Sequence, residues 1–360
     1  MYKRQALKSH GLDSNGQLYK INSFEFYRYE DIIKKEDDAG YDKTAFEKML
    51  EIKGDSDHTK LIDMLTDLND YSIGIEDVLK EHFDEENIVY WMAFQILMGN
   101  VDTQNRNVYL YSPLNSDIWY FIAWDNDGCL MRPEYELRNF SDQNSWEKGI
   151  SNYWGNILFQ RCLKSRSFRE KLNDAILDLR EYLNKDMLTS KIESYKNVLK
   201  PYLYLMPDAE YEPLTSEQYD QIAASLPDEI EKNYQLYLES LETPMPFYIG
   251  VPTIDGDKLK FNWDVSYDLD AEDITYSVEV ARDYLFRDVI YQNTTLIVPE
   301  AEMDLPEAGQ YFVRVRATNT SGKTQDAFDY YVTDEGKYYG MRCFYITEDS
   351  TVEEDDYEEG

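Results

Sequence analysis

Apolar positions in the first two thirds of the chain recur mainly at helical spacing. Between His58 and Leu68, the residues Leu61, Ile62, Met64, Leu65 and Leu68 mark one face of a helix, with Asp57 placed to cap its start. Tyr41 to Leu50 and Ile75 to Lys80 share that texture. Asp84 is positioned to cap a long apolar helix running through Leu97, which Gly99-Asn100 terminates. The pattern then changes. Val108 to Tyr111 and Ile118 to Trp124 are rich in aromatic and β-branched residues, and Ser112-Pro-Leu-Asn-Ser-Asp117 between them reads as a turn, which predicts a hairpin. Arg132 to Trp146 is polar and aromatic without clear period. Helical spacing returns in Tyr153 to Leu163, Phe168 to Leu183, Met187 to Leu205 and Ser216 to Leu241, with Ser167, Asp208 and Thr215 as capping or turn residues.

Glu242-Thr-Pro-Met-Pro246 marks a boundary, beyond which short alternating runs replace the helices. Leu259 to Trp263, Thr275 to Ala281, Gln310 to Thr318 and Ala327 to Val332 read as strands, and their regular spacing predicts a β-sandwich. The fold class is therefore α+β, a mainly helical lobe carrying one hairpin and then an all-β domain. The stretch from Glu348 to Gly360 is dominated by Asp and Glu and is expected to be disordered.

Length and composition narrow the possibilities. The 360 residues suffice for two or three domains with their own cores, and 42% hydrophobic content fits a globular chain. A net charge of −35, with no Lys/Arg block, argues against nucleic acid or an anionic membrane surface as partner, because phosphate recognition needs clustered cations. No stretch approaches the roughly 20 apolar residues of a membrane span. Cys129, Cys162 and Cys343 are too few and too far apart for a disulfide framework or a zinc site. His10, His58 and His82 show no metal-ligand spacing, so surface or polar-network roles are expected of them.

The chemistry lies in Met98-Gly-Asn-Val-Asp-Thr-Gln-Asn-Arg-Asn107 and in Trp119-Tyr-Phe-Ile-Ala-Trp-Asp-Asn-Asp127. An Asp, an Asn five residues later, and an Asp just after a hydrophobic strand form the acidic skeleton of a protein-kinase active site. Phosphates bring concentrated negative charge, and the cation that accompanies them takes hard oxygen ligands rather than imidazole or thiolate. Asp102 precedes the Asn-bearing strand and is free to accept a hydrogen bond from a hydroxyl. Two other readings remain open: Asp/Asn-rich turns capping a hairpin, and a structural Ca²⁺ loop at Asp125-Asn126-Asp127.

Glu86 to Asp102, then Asn107-Val-Tyr-Leu-Tyr111, then Ile122-Ala-Trp-Asp-Asn-Asp127 resemble the CotH kinase family, spore-coat and surface-associated proteins distantly similar to protein kinases. Gly16-Gln-Leu-Tyr-Lys20 and Asn152-Tyr-Trp-Gly-Asn-Ile-Leu-Phe-Gln-Arg161 extend the resemblance over roughly residues 6 to 241. It implies a kinase-like C-terminal lobe over 1–241, ATP and Mg²⁺ (or Mn²⁺) as cofactors, and protein Ser/Thr hydroxyls as acceptors. By the same resemblance Asp102 is the catalytic Asp, Asn107 and Asp125 are metal ligands, and Asp127 is a further metal-site residue. It also implies an extracellular, cell-surface or spore-coat location. Trp263 with Leu305 to Gly322 resembles a fibronectin type III domain, placed over 247–346 after the 242–246 linker and before the acidic 347–360 tail; there Tyr311 makes a tyrosine-corner bond while Val313, Val315 and Ala317 face the core. That domain is expected to be a spacer or a docking module for surface partners.

One departure from the family pattern stands beside the match. No Gly-rich nucleotide-covering segment precedes Asp102, and Lys20, the nearest candidate for a phosphate contact, reads as an ordinary surface lysine. Met1-Tyr-Lys-Arg-Gln5 has the form of a translated sequencing adapter. The expectation is that the native sequence begins near Ala6 within a longer gene product, so that activity is expected of the parent rather than of the fragment itself. A non-catalytic surface or spore-coat protein that keeps the lobe as a binding scaffold is the alternative.

Overall fold

The computed structural model describes residues 2–138, 144–334 and 336–354. Its contacts divide the chain into two units, Met1–Asn139 with Asn152–Tyr237, and Phe140–Ser151 with Leu238–Gly360. This division falls at other points than the proline-containing stretch 242–246.

In the first unit the expected hairpin forms, β3 (Val108–Ser112) with β4 (Tyr120–Ala123), but as half of a four-stranded antiparallel sheet. The sheet order is β2-β1-β3-β4, with β1 spanning Gln17–Ile21 and β2 Leu50–Ile52. Strands of five and three residues are too short to show alternation by themselves, and β2 follows a helix directly. One sheet face carries Tyr19, Leu110 and Phe121 into the helical core, where the rings of Trp91, Phe121 and Phe159 lie 5.1–5.8 Å apart. The other face carries Leu18, Tyr109 and Tyr111, covered by Leu7 of α1 (Tyr2–Ser9).

The helices follow in order as α2 (Lys43–Met49), α3 (Thr59–Asn69), α4 (Ile75–His82), α5 (Glu85–Leu97) and α6 (Arg132–Arg138). After these come α7 (Ile157–Lys164), α8 (Arg166–Tyr182), α9 (Lys185–Leu203) and α10 (Ser216–Glu242), within which the unit division falls. Helix α5 is apolar on all sides because it packs against both α8 and β4. Asp84 caps it as expected, accepting the Asn87 N–H at 3.0 Å. At α3 the Asp57 carboxylate accepts the Thr59 N–H, but His58 takes the capping position itself. Its ring is buried between the Tyr19 and Tyr41 hydroxyls, at 2.7 and 3.4 Å. The cap of α8 is Ser165, not Ser167: its hydroxyl accepts the Phe168 N–H and donates to Glu76. The segment read as lacking period contains α6, a helix too short to display one. Thr215 and Gln218 satisfy each other's backbone N–H groups at the start of α10, a capping box.

Two sheets of the second unit pack over one core. The smaller is β5 (Thr253–Asp255), β6 (Lys258–Asn262) and β9 (Glu300–Asp304), all antiparallel. The larger runs β15-β14-β10-β7-β8, with β11 (Thr324–Asp326) also on β10. Its members are β7 (Ile274–Ala281), β8 (Val289–Leu296), β10 (Gly309–Asn319), β14 (Met341–Ile346) and β15 (Val352–Glu354). Val313, Val315 and Ala317 are fully buried, beside Trp263, as their alternation predicts. The Tyr311 hydroxyl donates to the Glu307 carbonyl at 2.8 Å.

Two expectations need correction here. The run Ala327 to Val332 enters a strand only at Tyr330, as β12 (Tyr330–Thr333) in a separate hairpin with β13 (Gly336–Tyr339), because the Phe328 N–H is spent on the Phe247 carbonyl. The acidic end is not uniformly without structure: β15 pairs with β14 from Phe344↔Glu354 to Ile346↔Val352. Residues 355–360 of that acidic stretch lie outside the described residues, as do 139–143 of the segment after α6. Residues 144–151 belong to the second unit. There Trp146 meets Phe328 edge-on at 5.1 Å, and Gln325 donates to the Ser145 hydroxyl at 2.8 Å.

A buried neutral hydrogen bond contributes about 1 kcal/mol. Tyr311→Phe is therefore expected to lower the unfolding free energy of the β unit by about that amount in urea titration, with an unchanged denaturant slope.

Candidate functional site

Three loop segments converge at the open end of the β3–β4 hairpin. The pairing Val108↔Ala123 places Asn107 opposite Trp124, so Asn107 and Asp125 leave the sheet at the same end. Both adopt left-handed backbone, with φ of 57° and 54°, a conformation Asn and Asp tolerate better than most residues. Asp125 leads into a 3₁₀ turn, Asn126–Gly128, that contains Asp127. Along this turn Asp125 and Asp127 are exposed while Asn126 is half-buried.

Asp102 sits in the 3₁₀ turn Val101–Thr103 that follows α5, with φ −91° and ψ 19°. Side chains from residues 152–156 tie this turn down. Asn152 donates to the Val101 carbonyl at 3.2 Å and Asn156 to the Gln104 carbonyl at 3.0 Å. Thr103 donates to the Asn100 carbonyl and meets the Tyr153 hydroxyl at 3.1 Å in the interior. The Asn107 amide nitrogen donates to Asp102 Oδ2 at 2.7 Å, and Arg106 Nε reaches Asp102 Oδ1 at 3.1 Å. Spending Nδ2 on Asp102 leaves Oδ1 of Asn107, the one atom of an amide that ligates a hard cation.

Burial raises the pKa of Asp102 above the ordinary carboxylate value. Arg106 and Asn107 oppose that shift, while Asp127 and Asp125 add to it. Their influence draws all three carboxylates into one electrostatic neighbourhood. Asp102, Asn107, Asp125 and Asp127 are thus gathered at one end of the sheet. Among the described residues no group of three or more His, Cys, Asp or Glu is arranged as a metal cage. Lys20 lies on β1 opposite Tyr109, and its charge acts on the Tyr109 phenol. Burial pushes the Cys129 thiol up to about 12, so it stays protonated.

The sequence reading missed the polar residues beneath these loops. Gln95, on the apolar helix α5, is 1% exposed, and Asn100 is 2% exposed. Gln95 donates to Asn126 Oδ1 at 3.2 Å and accepts from Asn100 at 3.0 Å. Asn233 of α10 donates to the Leu97 carbonyl at 2.8 Å and accepts from Arg132 at 2.7 Å, holding the end of α5. A Cβ on Gly99, where φ is +60°, would lie 2.7 Å from the Asn233 side chain. The available signal was one polar residue, Gln95, inside an otherwise apolar helix stripe.

The family model described as CotH kinase protein matches residues 1–237. No curated protein matches the chain. Among solved structures, surface layer protein SbsC, domains 1–6, aligns at 11% identity and a TM-score of 0.16, covering 92% of this chain and 41% of that one. The chain thus spans under half of that structure's length, and a likeness at this score carries no argument about fold or function.

A carboxyl whose folded pKa is raised costs stability while ionised, and this cost disappears once the proton is on in both states. Asp102→Asn, which keeps an oxygen for the Asn107 amide, is therefore expected to be at least as stable as the wild type at pH 7. The gap should close as pH falls through the raised pKa toward 3.8, the ordinary value. Denaturant midpoints measured across that range check it; a variant clearly less stable at pH 7 would contradict it.

Proposed function

Because the chain belongs to the CotH kinase protein family over residues 1–237, we propose that it is the phosphoryl-transfer lobe of a CotH-type protein kinase. The reaction is transfer of the ATP γ-phosphate to Ser or Thr hydroxyls of proteins, with Mg²⁺ or Mn²⁺. One observation carries this reading most directly. The Asn107 amide is hydrogen-bonded to Asp102 at 2.7 Å, while the strand register brings Asp125 to the same end of the sheet.

The donor set fits a cation that shares its shell with phosphates. Magnesium is usually held by one or two carboxylates together with substrate phosphate oxygens and water, so a cage of three protein carboxylates is not required. Asn107 Oδ1 and the Asp125 carboxylate are the ligands of this reading, with Asp127 a further oxygen donor on the same turn. Bound with ATP, the cation supplies neutralisation of charge on the phosphates. Asp102 orients the incoming hydroxyl and takes its proton as the oxygen–phosphorus bond forms and ADP leaves. Its raised pKa suits that role, because a base nearer neutrality holds the abstracted proton better. Asn107 holds Oδ2 of Asp102, so the hydroxyl approaches Oδ1, displacing Arg106. That guanidinium is 52% exposed, and such surface pairs contribute about 0–1 kcal/mol.

The β unit fits a fibronectin type III-like module, supported by the Tyr311 bond to Glu307 and by the buried Val313, Val315 and Ala317. Family membership and such a module favour a secreted, cell-surface or spore-coat protein with surface partners. The scaffold alternative keeps one observation in its favour: both Asp102 oxygens are already engaged, by Arg106 and Asn107.

Two variants separate these readings in the parent protein. Asp125→Asn is expected to abolish Mg²⁺-dependent ATP binding in calorimetry, and unchanged affinity would refute the kinase assignment. Asp102→Ala is expected to retain the nucleotide while phosphoryl transfer to protein falls by about 10²-fold or more. Transfer at the wild-type rate would remove Asp102 from the mechanism.

A further inference from the structure

Resting on that reading of the site, we propose that the chain of amides Gln95–Asn100–Asn126 sets the attitude of Asp125 and Asp127 and thereby the cation affinity of the turn. These three are positioning residues, since none of them touches the reacting atoms.

The geometry carries this. Asn126 lies between the two exposed acids and is turned inward, where its Oδ1 accepts from Gln95 Nε2 at 3.2 Å and from Asn100 Nδ2 at 3.4 Å. Asn100 Nδ2 also donates to Gln95 Oε1 at 3.0 Å, which closes the set. With the middle side chain fixed inward, its two neighbours have to project outward, and the acids of the turn face solvent together. Gln95 and Asn100 are themselves held by rigid elements, Gln95 by burial on α5 and Asn100 by the turn that bonds to Thr103 and follows the helix end. The same turn carries Asp102 two residues later. One amide network therefore supports both the proposed base and the proposed ligands.

Two further features fit a site built for positioning rather than for stability alone. Burying two amides beneath an apolar helix costs more than burying hydrocarbon of the same shape unless their hydrogen bonds serve a purpose. Asn100 Oδ1 remains buried without a hydrogen-bond partner, next to Gly128, where a Cβ would come within 2.7 Å of it. Gly128 has no side chain to displace Asn100, so the turn can lie directly on the amide. Groups that orient metal ligands from behind typically change affinity by about 10–100-fold when removed.

The test uses the full chain and Tb³⁺, a hard, oxygen-seeking probe ion whose luminescence is sensitised by a nearby indole. Trp124 adjoins Asp125 and is 44% exposed. Gln95→Met keeps the volume and removes the amide. It is expected to weaken Tb³⁺ binding about tenfold or more, with the circular dichroism spectrum and the metal-free melting temperature close to wild type. Asn126→Ala, which sits on a half-exposed turn and leaves the α5 sequence unchanged, is expected to show the same loss. The double variant should be no weaker than either single one, because all three share one network. Wild-type affinity in Gln95→Met, or in Asn126→Ala should Gln95→Met not fold, overturns the positioning role. Full additivity of the two losses does so as well. Asp125→Asn is the separate control: if it loses Tb³⁺ while Gln95→Met does not, the metal reading of the turn stands and the positioning proposal alone falls. Should Asp125→Asn bind Tb³⁺ like wild type, both fall together.

Discussion

The register between β3 and β4 is the constraint on which the candidate site depends. Side chains alternate across a strand, so Val108, Leu110 and Phe121 reach the helical core only if Val108 lies opposite Ala123. A slip of one residue would turn Phe121 away from Trp91 and Phe159 and bring Tyr109 or Tyr120 toward them. Apolar burial thus decides where the two strands end. Asn107 directly precedes the paired region and Asp125 follows it after Trp124, and both turn through left-handed backbone. The acidic arrangement is a by-product of a hydrophobic choice, held where Asn and Asp bend at the least steric cost.

Backbone hydrogen bonding adds a second constraint. The stretch from Asn100 to Asn105 joins a helix to a strand and lies partly buried, with its Asn105 carbonyl accepting the Phe24 N–H. Buried carbonyls without partners cost roughly 1–3 kcal/mol each, so the chain returns at residues 152–156 to supply donors. Asn152, Asn156 and the Tyr153–Thr103 contact meet that need. This gives a physical meaning to the Asn-Tyr-Trp-Gly-Asn motif that resemblance alone had singled out: it holds the loop before β3.

Long, strongly patterned elements were legible in the sequence. Helix α5 announces itself by its apolar length and Asp84 cap, the hairpin by its turn between apolar runs, and β10 by its alternation. The three- to five-residue strands β1 and β2 were not legible, because pairing, β2 with β1 and β1 with β3, rather than their own pattern makes them strands. The cap of α8 went to Ser165 instead of Ser167 because the Ser165 hydroxyl also reaches Glu76, a partner 89 positions away. The site shows the same limit. The acidic residues stand out by spacing, whereas Gln95, Asn126 and Asn233 gain their meaning from contacts across 31 to 136 positions, which no local pattern records.

Two carboxylates whose pKa is raised by desolvation show what sets the candidate site apart. Asp329 in the β unit also has a raised pKa from burial, but it accepts from Ile249 N–H at 2.7 Å and pairs with Arg342 at 2.9 Å. Its lone pairs are met by partners from neighbouring strands, and nothing is left for a ligand to supply. Asp102 has one side-chain amide and one half-exposed guanidinium, and two further carboxylates push against it. Like charges at close range lower one another's acidity and attract whatever cation can approach. The first arrangement resolves its electrostatics internally and reads as structure. The second leaves a deficit of positive charge at an open sheet end.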